Sequence, residues 1–391
     1  MLRSLYSGIS GLRAHQTMLD TTGNNIANVN TAGFKSSSVQ FQDTLSQMTQ
    51  GATTPQANTG GRNPAQVGLG VQVAGIAMNF TQGSAQNTGR ATDMMIAGDG
   101  FFLTRSGTTT TLTRAGAFDF DPRGRLTSPD GGIVQGWMAD NNGVLPNGGS
   151  VQDIILPSGL IAPGAATTTA KLAGNLPKET AVGDTITQDK EVFAADGSSR
   201  TMNMTFTRTA AGWDIAANDG IGPVVNQSLM LDGQGKLNGT SMAVGGITVD
   251  LTKVTGYAGL KTVSISEQNG RSAGSLESYT LGSDGTLTGT FSNGTQQAIA
   301  QIVLGSVSNP AGLQKTGGSG YAVTANSGEV EFGTPGAGAM GAIAGGMLEM
   351  SNVDLSQEFT NLIVAQRGFQ ANARIITTSD EILQELANLK R

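Results

Sequence analysis

Apolar residues recur three and then four positions apart at both ends of the chain, a spacing typical of a helix that packs lengthwise along another helix. We call the positions of this pattern the apolar stripe. In the N-terminal segment they are Leu5, Ile9, Leu12, Gln16, Leu19 and Ile26, and in the C-terminal segment Phe359, Leu362, Gln366, Phe369, Ala373, Ile376 and Leu383. The stripe predicts one helix from about residue 2 to 26. It predicts a second from Ser351 or Asn352 as N-cap to the end of the chain, with Asp354 in its first turn.

Two interpretations of the stripe are open from the pattern alone. The helices could form an ordinary hairpin that closes one domain core, or they could pack against other copies of the chain. The second is favoured because both helices are terminal, the stripe is narrow, and polar or Gly-rich tracts separate it from the strands. Gln16 and Gln366 also favour packing against other copies, because polar residues at such positions cost stability but can fix the register between helices.

Between the two helices the sequence is rich in Gly, Thr, Ser and Asn and carries strand and turn signals. Residues 112–120 alternate as a half-buried strand does, and pairs such as Asp196-Gly197 and Asp284-Gly285 mark tight hairpin turns. The predicted fold class is therefore mainly β with terminal α-helices. Discontinuous β domains are nested in the chain, and the two helices form a coiled-coil-like pair.

Changes in composition divide the chain into four predicted parts. The terminal helical domain comprises 1–30 and 351–391, and the extended linker comprises 31–70 and 336–350. The middle β domain comprises 71–145 and 285–335, and the inserted β domain comprises 146–284.

Composition narrows the function. Charged residues make up only 13% of the chain, and 57 of its 391 residues are glycine, which suits turn-rich β structure with surfaces buried against neighbours. A net charge of -6 provides no basic patch, so nucleic acid is not an expected partner. There is no cysteine, no apolar run of the roughly 20 residues that a bilayer span needs, and no cleavable secretory signal. If the protein leaves the cell, it does so by a dedicated route.

The residues that usually carry catalysis or bind metals are scarce. The single histidine, His15, lies inside the first helix and off the stripe, where a solvated or partner-facing residue is expected. The glycines of 336–341 match G-x-G-x-x-G, but no strand follows the last helix, as a dinucleotide site requires. Residues 119–130 resemble a calcium loop but carry Pro122 and Arg123 at unsuitable positions, so a β-turn is favoured. The sequence predicts no enzyme activity, no cofactor, no metal and no small-molecule substrate.

Three segments resemble the axial proteins of the bacterial flagellum, the rod and hook protein family. They are 21–35, which reads TTGNNIANVNTAGFK, 351–356, which reads SNVDLS, and 363–372, which reads IVAQRGFQAN, with LKR at 389–391 closing the chain. The signature residues that the resemblance singles out are Asn24, Asn25, Asn28, Gly33, Phe34, Asn352, Asp354, Gln366 and Arg367.

Within that family, the segment 168–177 and the long inserted domain resemble the hook members, whereas the length of 48–66 is similar to the distal rod. The resemblance implies a non-enzymatic subunit of a curved, flexible hollow tube that transmits torque from rod to filament. The terminal helices would line the channel, the middle β domain would form the middle layer and 146–284 the outer layer. The alternatives are a distal rod protein and, from another class, a secreted β-rich binding domain or enzyme.

The resemblance also implies partners and a location. The partners are the chain itself in a helical homopolymer, the distal rod, the hook cap, the hook–filament junction and hook-length control proteins, and the flagellar type III export apparatus. The location is extracellular, in the flagellum. Phe41 and Leu45 resemble a short export-gate motif, although an ordinary buried pair would look the same. The terminal helices are expected to be unfolded in the free subunit, because isolated helices are marginal in water.

Overall fold

The terminal segments are helical in the computed structural model, which describes residues 2–56, 60–146, 148–157, 159–232 and 237–388. Helix α1 spans Leu2–Ala27 and helix α2 spans Leu355–Asn388, so both predicted helices are confirmed. The closing segment 389–391 of the C-terminal signature lies outside the described residues. Within the described residues, neither helix combines the length and apolarity that a bilayer crossing requires.

Helix α2 begins later than predicted, because Asp354 is its N-cap. Oδ1 of Asp354 accepts the backbone N–H groups of Ser356 at 2.8 Å and Gln357 at 3.3 Å, which are the second and third helical residues. Ser351 and Asn352, the predicted caps, bond elsewhere: the Ser351 hydroxyl accepts from its neighbour Val353, and Asn352 reaches other segments of the chain. A carboxylate that reaches two free N–H groups satisfies the helix start better than either alternative.

A hairpin arm follows α1 and occupies most of the predicted linker. Its strands are β1 Ser37–Asp43, β2 Ser46–Gln50, β3 Ala65–Gly68 and β4 Val71–Met78. Strand β1 pairs antiparallel with β4, and β2 pairs antiparallel with β3. The arm lies along α1, where the Ser10 hydroxyl accepts the N–H of Val71 at 3.2 Å. The residues of β2 and β3 are exposed on both faces.

Nine strands come next, and all of them except the first two belong to one large sheet. They are β5 Ala85–Asn87, β6 Met94–Ala97, β7 Phe101–Ser106, β8 Thr109–Thr113, β9 Asp119–Phe120, β10 Leu126–Thr127, β11 Ile133–Met138, β12 Gln152–Asp153 and β13 Ile161–Ala162. The predicted turn between β9 and β10 is held by Asp121, whose Oδ1 accepts backbone N–H groups of Arg123 and Arg125 at 2.9 Å each.

Eight strands form a separate inserted body. They are β14 Thr169–Asn175, β15 Thr185–Phe193, β16 Ser199–Arg208, β17 Gly212–Asn218, β18 Val225–Met230, β19 Ser241–Val244, β20 Ile247–Thr255 and β21 Ser264–Gln268. One sheet has the order β15-β16-β17-β18 and the other β19-β20-β14-β21, in which β14 and β20 are parallel. Side chains from both sheets share one core around Phe206 and Trp213, so the inserted body is a β-sandwich.

The chain then returns to the large sheet. The remaining strands are β22 Gly274–Leu281, β23 Thr286–Phe291, β24 Gln296–Ile302, β25 Leu304–Val307, β26 Gln314–Gly317, β27 Gly320–Ala322, β28 Val330–Gly333, β29 Ala342–Gly345 and β30 Met347–Glu349, with a 3₁₀ turn at Pro310–Gly312. The sheet runs β13-β22-β23-β24-β11-β7-β8-β27-β26, with β9, β10, β12, β25 and β28 attached beside this path. The short pairs β6–β29 and β5–β30 lead back towards α2.

Sheet membership differs from the predicted domain limits in two places. Strands β12, β13 and β22 fall inside the predicted insert 146–284 but belong to the large sheet. The turn at Asp284-Gly285, where the predicted insert ends, joins β22 and β23 as neighbours in that sheet. Strand β4 belongs to the arm and not to the sheet that begins within 71–145. The division into domains itself stays a prediction.

Three hydrophobic cores lie in the β regions. One belongs to the sandwich and two to the large sheet, where Phe102 and Phe118 meet edge to face at 5.1 Å. Within the described residues, none of these cores contains a residue of α1 or α2. The helix pair therefore lies outside the apolar interior of its own chain.

Candidate assembly surface

Helices α1 and α2 pack antiparallel. Gly8, near the start of α1, faces Ile376, and Asn25, near its end, donates a 3.2 Å hydrogen bond from Nδ2 to the Glu358 carboxylate. Between these points His15 lies over Gly368. The contact follows the length of α1 and brings the end of α1 beside the start of α2.

Small and polar residues form the line of contact. A Cβ built on Gly11 would lie 2.7 Å from the Asn372 amide, and one built on Gly368 would lie 2.5 Å from the His15 ring. Asn372 is also held by its own helix, since Nδ2 donates to the Gly368 carbonyl at 2.9 Å. Glycine costs a helix about 1 kcal/mol relative to alanine, so these positions are explained by close approach of the two helices.

The apolar stripe lies mostly beside this line, and its member Ile376, which faces Gly8, reaches the line itself. Most contact positions precede a stripe position by one residue. Examples are positions 8, 11, 15 and 25 in α1 and positions 358, 365, 368 and 372 in α2. None of the stripe residues is buried, and the exposed fraction of Phe359 is 51%. Small residues let the helices approach, which leaves the bulky stripe side chains on the flanks. The role of the stripe in packing against other copies stays a prediction.

His15 is neither solvated nor free to face a partner, in contrast to the expectation from sequence. Its ring is partly buried against Gly368 and lies 6.0 Å from the ring of Phe41 in the arm. Its Nδ1 atom is buried and has no hydrogen-bond partner among the described residues. The ring therefore fills space between α1, α2 and the arm.

The N-terminal signature residues build the end of α1. Asn25 is buried, and its amide both donates to the Ser37 carbonyl at 2.8 Å and accepts the Ser37 N–H at 3.1 Å. Asn28 donates to the Asn24 carbonyl at 2.9 Å and accepts from the Thr31 hydroxyl at 3.1 Å. These bonds end the helix and tie it to the first strand of the arm.

Gly33 and Phe34 place this loop against the large sheet. Gly33 has φ of +69°, and a Cβ there would lie 2.4 Å from the backbone nitrogen of Ala115, so only glycine fits. The Phe34 ring lies 4.8 Å from Nζ of Lys315, which also donates to the Ser37 hydroxyl at 3.1 Å.

Three buried charged residues join the two ends of the chain to the sheet, and we call Lys35, Arg114 and Glu349 the charged junction. Nζ of Lys35 lies 2.6 Å from Oε1 of Glu349, and both side chains are fully buried. Nη1 of Arg114 lies 3.3 Å from the other carboxylate oxygen. Burial lowers the pKa of Lys35, and the hydrogen bond and charge of Glu349 oppose this effect.

Backbone groups complete the charged junction. Gly33 donates its N–H to the Glu349 carbonyl at 2.7 Å, and Gly83 donates to the Glu349 carboxylate at 2.9 Å. Nζ of Lys35 also donates to the Thr81 carbonyl at 2.8 Å. Burial raises the pKa of the neighbouring Tyr321 to about 12, an effect that Glu349 supports and Arg114 opposes.

The C-terminal signature residues divide into two groups. Asn352 accepts the Ser36 N–H at 2.9 Å and donates to the Asn79 carbonyl at 2.8 Å, and Asp354 caps α2, so both lie beside the charged junction. Gln366 and Arg367 lie farther along α2 with exposed side chains. The structure thus gathers the signature around one junction except for these two.

The suggested export motif is accessible. Phe41 lies in β1 with 40% of its surface exposed, and Leu45 follows this strand with 82% exposed. The other interpretation, an ordinary buried pair, would require both side chains to be buried. Among the described residues, no group of three or more His, Asp and Glu side chains is placed to hold a metal ion.

Sequence reasoning missed the centre of the junction. Lys35 lies in the quoted segment 21–35 but is not among the signature residues singled out there. Arg114 lies in the alternating stretch 112–120 with the same parity as Leu112 and Phe118, which is a signal for burial, whereas Glu349 has no such local signal. Gly11 and Gly368 could have been found, because a glycine inside a predicted helix calls for a packing reason.

Family descriptions match both ends and part of the large sheet. Residues 5–35 match "Flagella basal body rod protein", 95–175 match "Flagellar hook protein FlgE/F/G D1 domain", and 344–389 match "Flagellar basal body rod FlgEFG protein C-terminal". The first and third matches include the residues of the charged junction that lie at the two ends of the chain, Lys35 and Glu349.

Full-length relatives carry two names. The flagellar hook protein FlgE of Borreliella burgdorferi is 37% identical over 442 residues, and that of Treponema pallidum is 35% identical over 463 residues. The flagellar basal-body rod protein FlgG of Bacillus subtilis is 33% identical over 392 residues. Each alignment covers 100% of both chains.

Proposed function

Because the chain belongs to the flagellar rod and hook protein family, we propose that it is the structural subunit of the bacterial flagellar hook. The expected resemblance to this family is confirmed by relatives that match the whole chain. The observation that carries the proposal is the agreement of two full-length hook relatives with a helix pair that lies outside its own cores. In this function the subunit polymerises into a curved, flexible tube that transmits torque from rod to filament.

The apolar stripe is the surface on which copies meet. Its side chains are at most partly buried in the single chain, and Phe359, Phe369 and Leu383 expose 51%, 37% and 40% of their surface. A soluble subunit that keeps such a row of apolar side chains in water gains stability when a second copy covers it, by about 25 cal/mol per Å². The helix pairs stack around a channel, the large sheet forms the layer outside them, and the sandwich forms the outermost layer.

The flexibility of the tube follows from the difference between the contacts of these layers. The helices supply the apolar contacts that hold the tube together. The sandwich presents polar strands to its neighbours. Such contacts are weak and can slide, so the tube bends while each row of subunits shortens and lengthens. The chain acts through shape and contact and not as an enzyme.

The other partners follow from the position of a hook. They are the distal rod at one end, the hook–filament junction proteins at the other, the cap and the hook-length control protein during growth, and the type III export apparatus that delivers the subunit. The location is the extracellular part of the flagellum, attached to the basal body. The export gate would bind Phe41 and Leu45 in the unfolded subunit.

A distal rod subunit is the second candidate. The rod relative from Bacillus subtilis aligns over the full chain at 33% identity, and the exposed β2–β3 end of the arm occupies the long segment 48–66. Electron microscopy of polymer grown from purified subunit separates the two, because a hook subunit gives curved tubes and a rod subunit gives straight ones.

A pair of variants tests the stripe. Leu12→Asp places a charge on the stripe and should abolish polymerisation while leaving the β regions folded. Leu260→Asp, at a loop residue of the sandwich that is 82% exposed, is the matched control and should still polymerise. Normal polymer from Leu12→Asp would contradict the proposed function.

A further inference from the structure

The charged junction and the helix pair differ in what holds them together. Lys35 and Glu349 bond to each other and to backbone groups of the same chain, and both side chains are fully buried in the single chain. The helix pair instead leaves its apolar stripe partly exposed and meets through small residues. The junction is complete in a single subunit, whereas the helices still lack cover.

We propose that the charged junction closes in the free subunit, before the terminal helices order, and holds the end of α1 beside the start of α2. The helices then form from the junction outwards when a neighbouring copy covers the stripe. The part of this proposal that concerns assembly rests on the proposed function, whereas closure in the free subunit does not.

The positions of the groups support this order of events. Glu349 ends β30, which pairs with β5, so its backbone is fixed by a separate two-stranded ladder within the β region. Arg114 follows β8 of the large sheet. Lys35 and Gly33 are the only parts of the junction that must be brought in from the N-terminal segment, and each has its partner on Glu349. The folded β region therefore presents a preformed site for residues 33–36.

Closure of the charged junction would lower the entropy cost of bringing the two helices together. Ala27 and Leu355 are far apart in sequence, and joining distant points of a flexible chain costs entropy that grows with the logarithm of their separation. With the junction closed, only residues 28–32 and 350–354 separate the helices from fixed points. Short connections of this kind give effective concentrations in the millimolar range. Asn352 adds to the alignment, since it bonds Ser36 and Asn79.

Amide exchange in the free subunit tests closure directly. In the full-length monomer, the amides of Gly33 and Ser36 should exchange at least about 100-fold more slowly than in an unstructured chain, while amides in the middle of α1 and α2 exchange near the unstructured rate. Glu349→Gln removes the carboxylate that binds Lys35 and should abolish the protection of Gly33 and Ser36. Glu267→Gln removes a carboxylate from an exposed pair with Lys171 and should leave it unchanged.

A control for folding and a substitute variant keep the test decisive. Fluorescence of the two buried tryptophans, Trp213 in the sandwich and Trp137 in the large sheet, reports whether the β regions have remained folded in each variant. If Glu349→Gln disturbs it, Asn352→Ala takes its place, because it removes the bonds to Ser36 and Asn79 without leaving a buried charge unpaired. Unprotected Gly33 and Ser36 amides in the wild-type monomer would overturn the proposal, and so would protection that survives both variants.

Assembly kinetics separate this proposal from the proposed function. The variant that opens the junction should add to polymer ends about 10-fold more slowly than wild type, while Glu267→Gln grows normally. Growth at the wild-type rate with an open junction would overturn the role in assembly. A wild-type subunit that protects Gly33 but never polymerises would contradict the proposed function and leave closure in the free subunit supported.

Discussion

Three glycines in α1 allow the contact between the terminal helices to be tested by the same substitution at each. Alanine favours a helix over glycine by about 1 kcal/mol wherever it is placed in the interior. A Cβ at Gly23 would meet nothing within 4 Å, one at Gly8 would meet Ile376 at an ordinary 3.4 Å, and one at Gly11 would lie 2.7 Å from the Asn372 amide. The three substitutions therefore share their effect on the helix and differ in their effect on the contact.

The difference between Gly11→Ala and Gly23→Ala isolates the packing contribution. Overpacking of a fitted contact costs about 1–3 kcal/mol. Because the helix contribution is common to both variants, they should differ by this amount in the free energy of assembly. At about 1.4 kcal/mol per tenfold change, the critical concentration of Gly11→Ala should exceed that of Gly23→Ala by a factor of about 5 to 150. Gly8→Ala should behave like Gly23→Ala.

Sedimentation of polymer at a series of subunit concentrations measures these values. Gly23→Ala should lower the critical concentration relative to wild type, because it favours a helix that orders on assembly. Equal critical concentrations for Gly11→Ala and Gly23→Ala would show that the helices do not meet at Gly11 in the polymer, and the described contact would then be refuted.

Three further perturbations have expected results. Lys35→Met breaks a buried ion pair and should lower the free energy of unfolding by about 3–5 kcal/mol in urea titrations, whereas Lys171→Met, at an exposed pair, should match wild type. The folded-state pKa of Tyr321, about 12, lies above its ordinary value of 10.0. The contribution of this difference to the free energy of unfolding is therefore fully present below pH 10 and is lost as the pH rises towards 12. About 1.4 kcal/mol should be lost by pH 11 in wild type but not in Tyr321→Phe, and an equal loss in both would contradict this assignment. Asp354→Ala removes the cap of α2 and should cost about 1 kcal/mol in assembly, whereas Asp380→Ala, inside the same helix, should cost less.

The helices and the β character of the chain could be predicted because both depend on local patterns. The 3–4 spacing gave α1 to within a residue at its C-terminal end, and Asp-Gly pairs gave turns that the structure contains. The limits of the inserted domain stay a prediction, because a hairpin turn such as Asp284-Gly285 has the same sequence whether it joins two domains or two strands of one sheet.

The centre of the site depends on contacts between distant residues, and no local pattern records these. Lys35 and Glu349 are 314 positions apart, and each is an ordinary charged residue in its own segment. The line of contact between the helices was displaced by one residue for a related reason. Periodicity identifies apolar positions, but glycine and asparagine at 11 and 372 carry the actual approach, and only the paired helices reveal it.

The central claim is that the apolar stripe is covered by neighbouring copies, and thiol labelling measures this most directly because the chain contains no cysteine. Phe359→Cys places one thiol on the stripe, and Leu260→Cys places one on the sandwich. Both should react quickly with a maleimide in the free subunit. After polymerisation the thiol at 359 should react at least about 100-fold more slowly, while the thiol at 260 stays reactive. Equal labelling of Phe359→Cys in subunit and polymer would contradict the account.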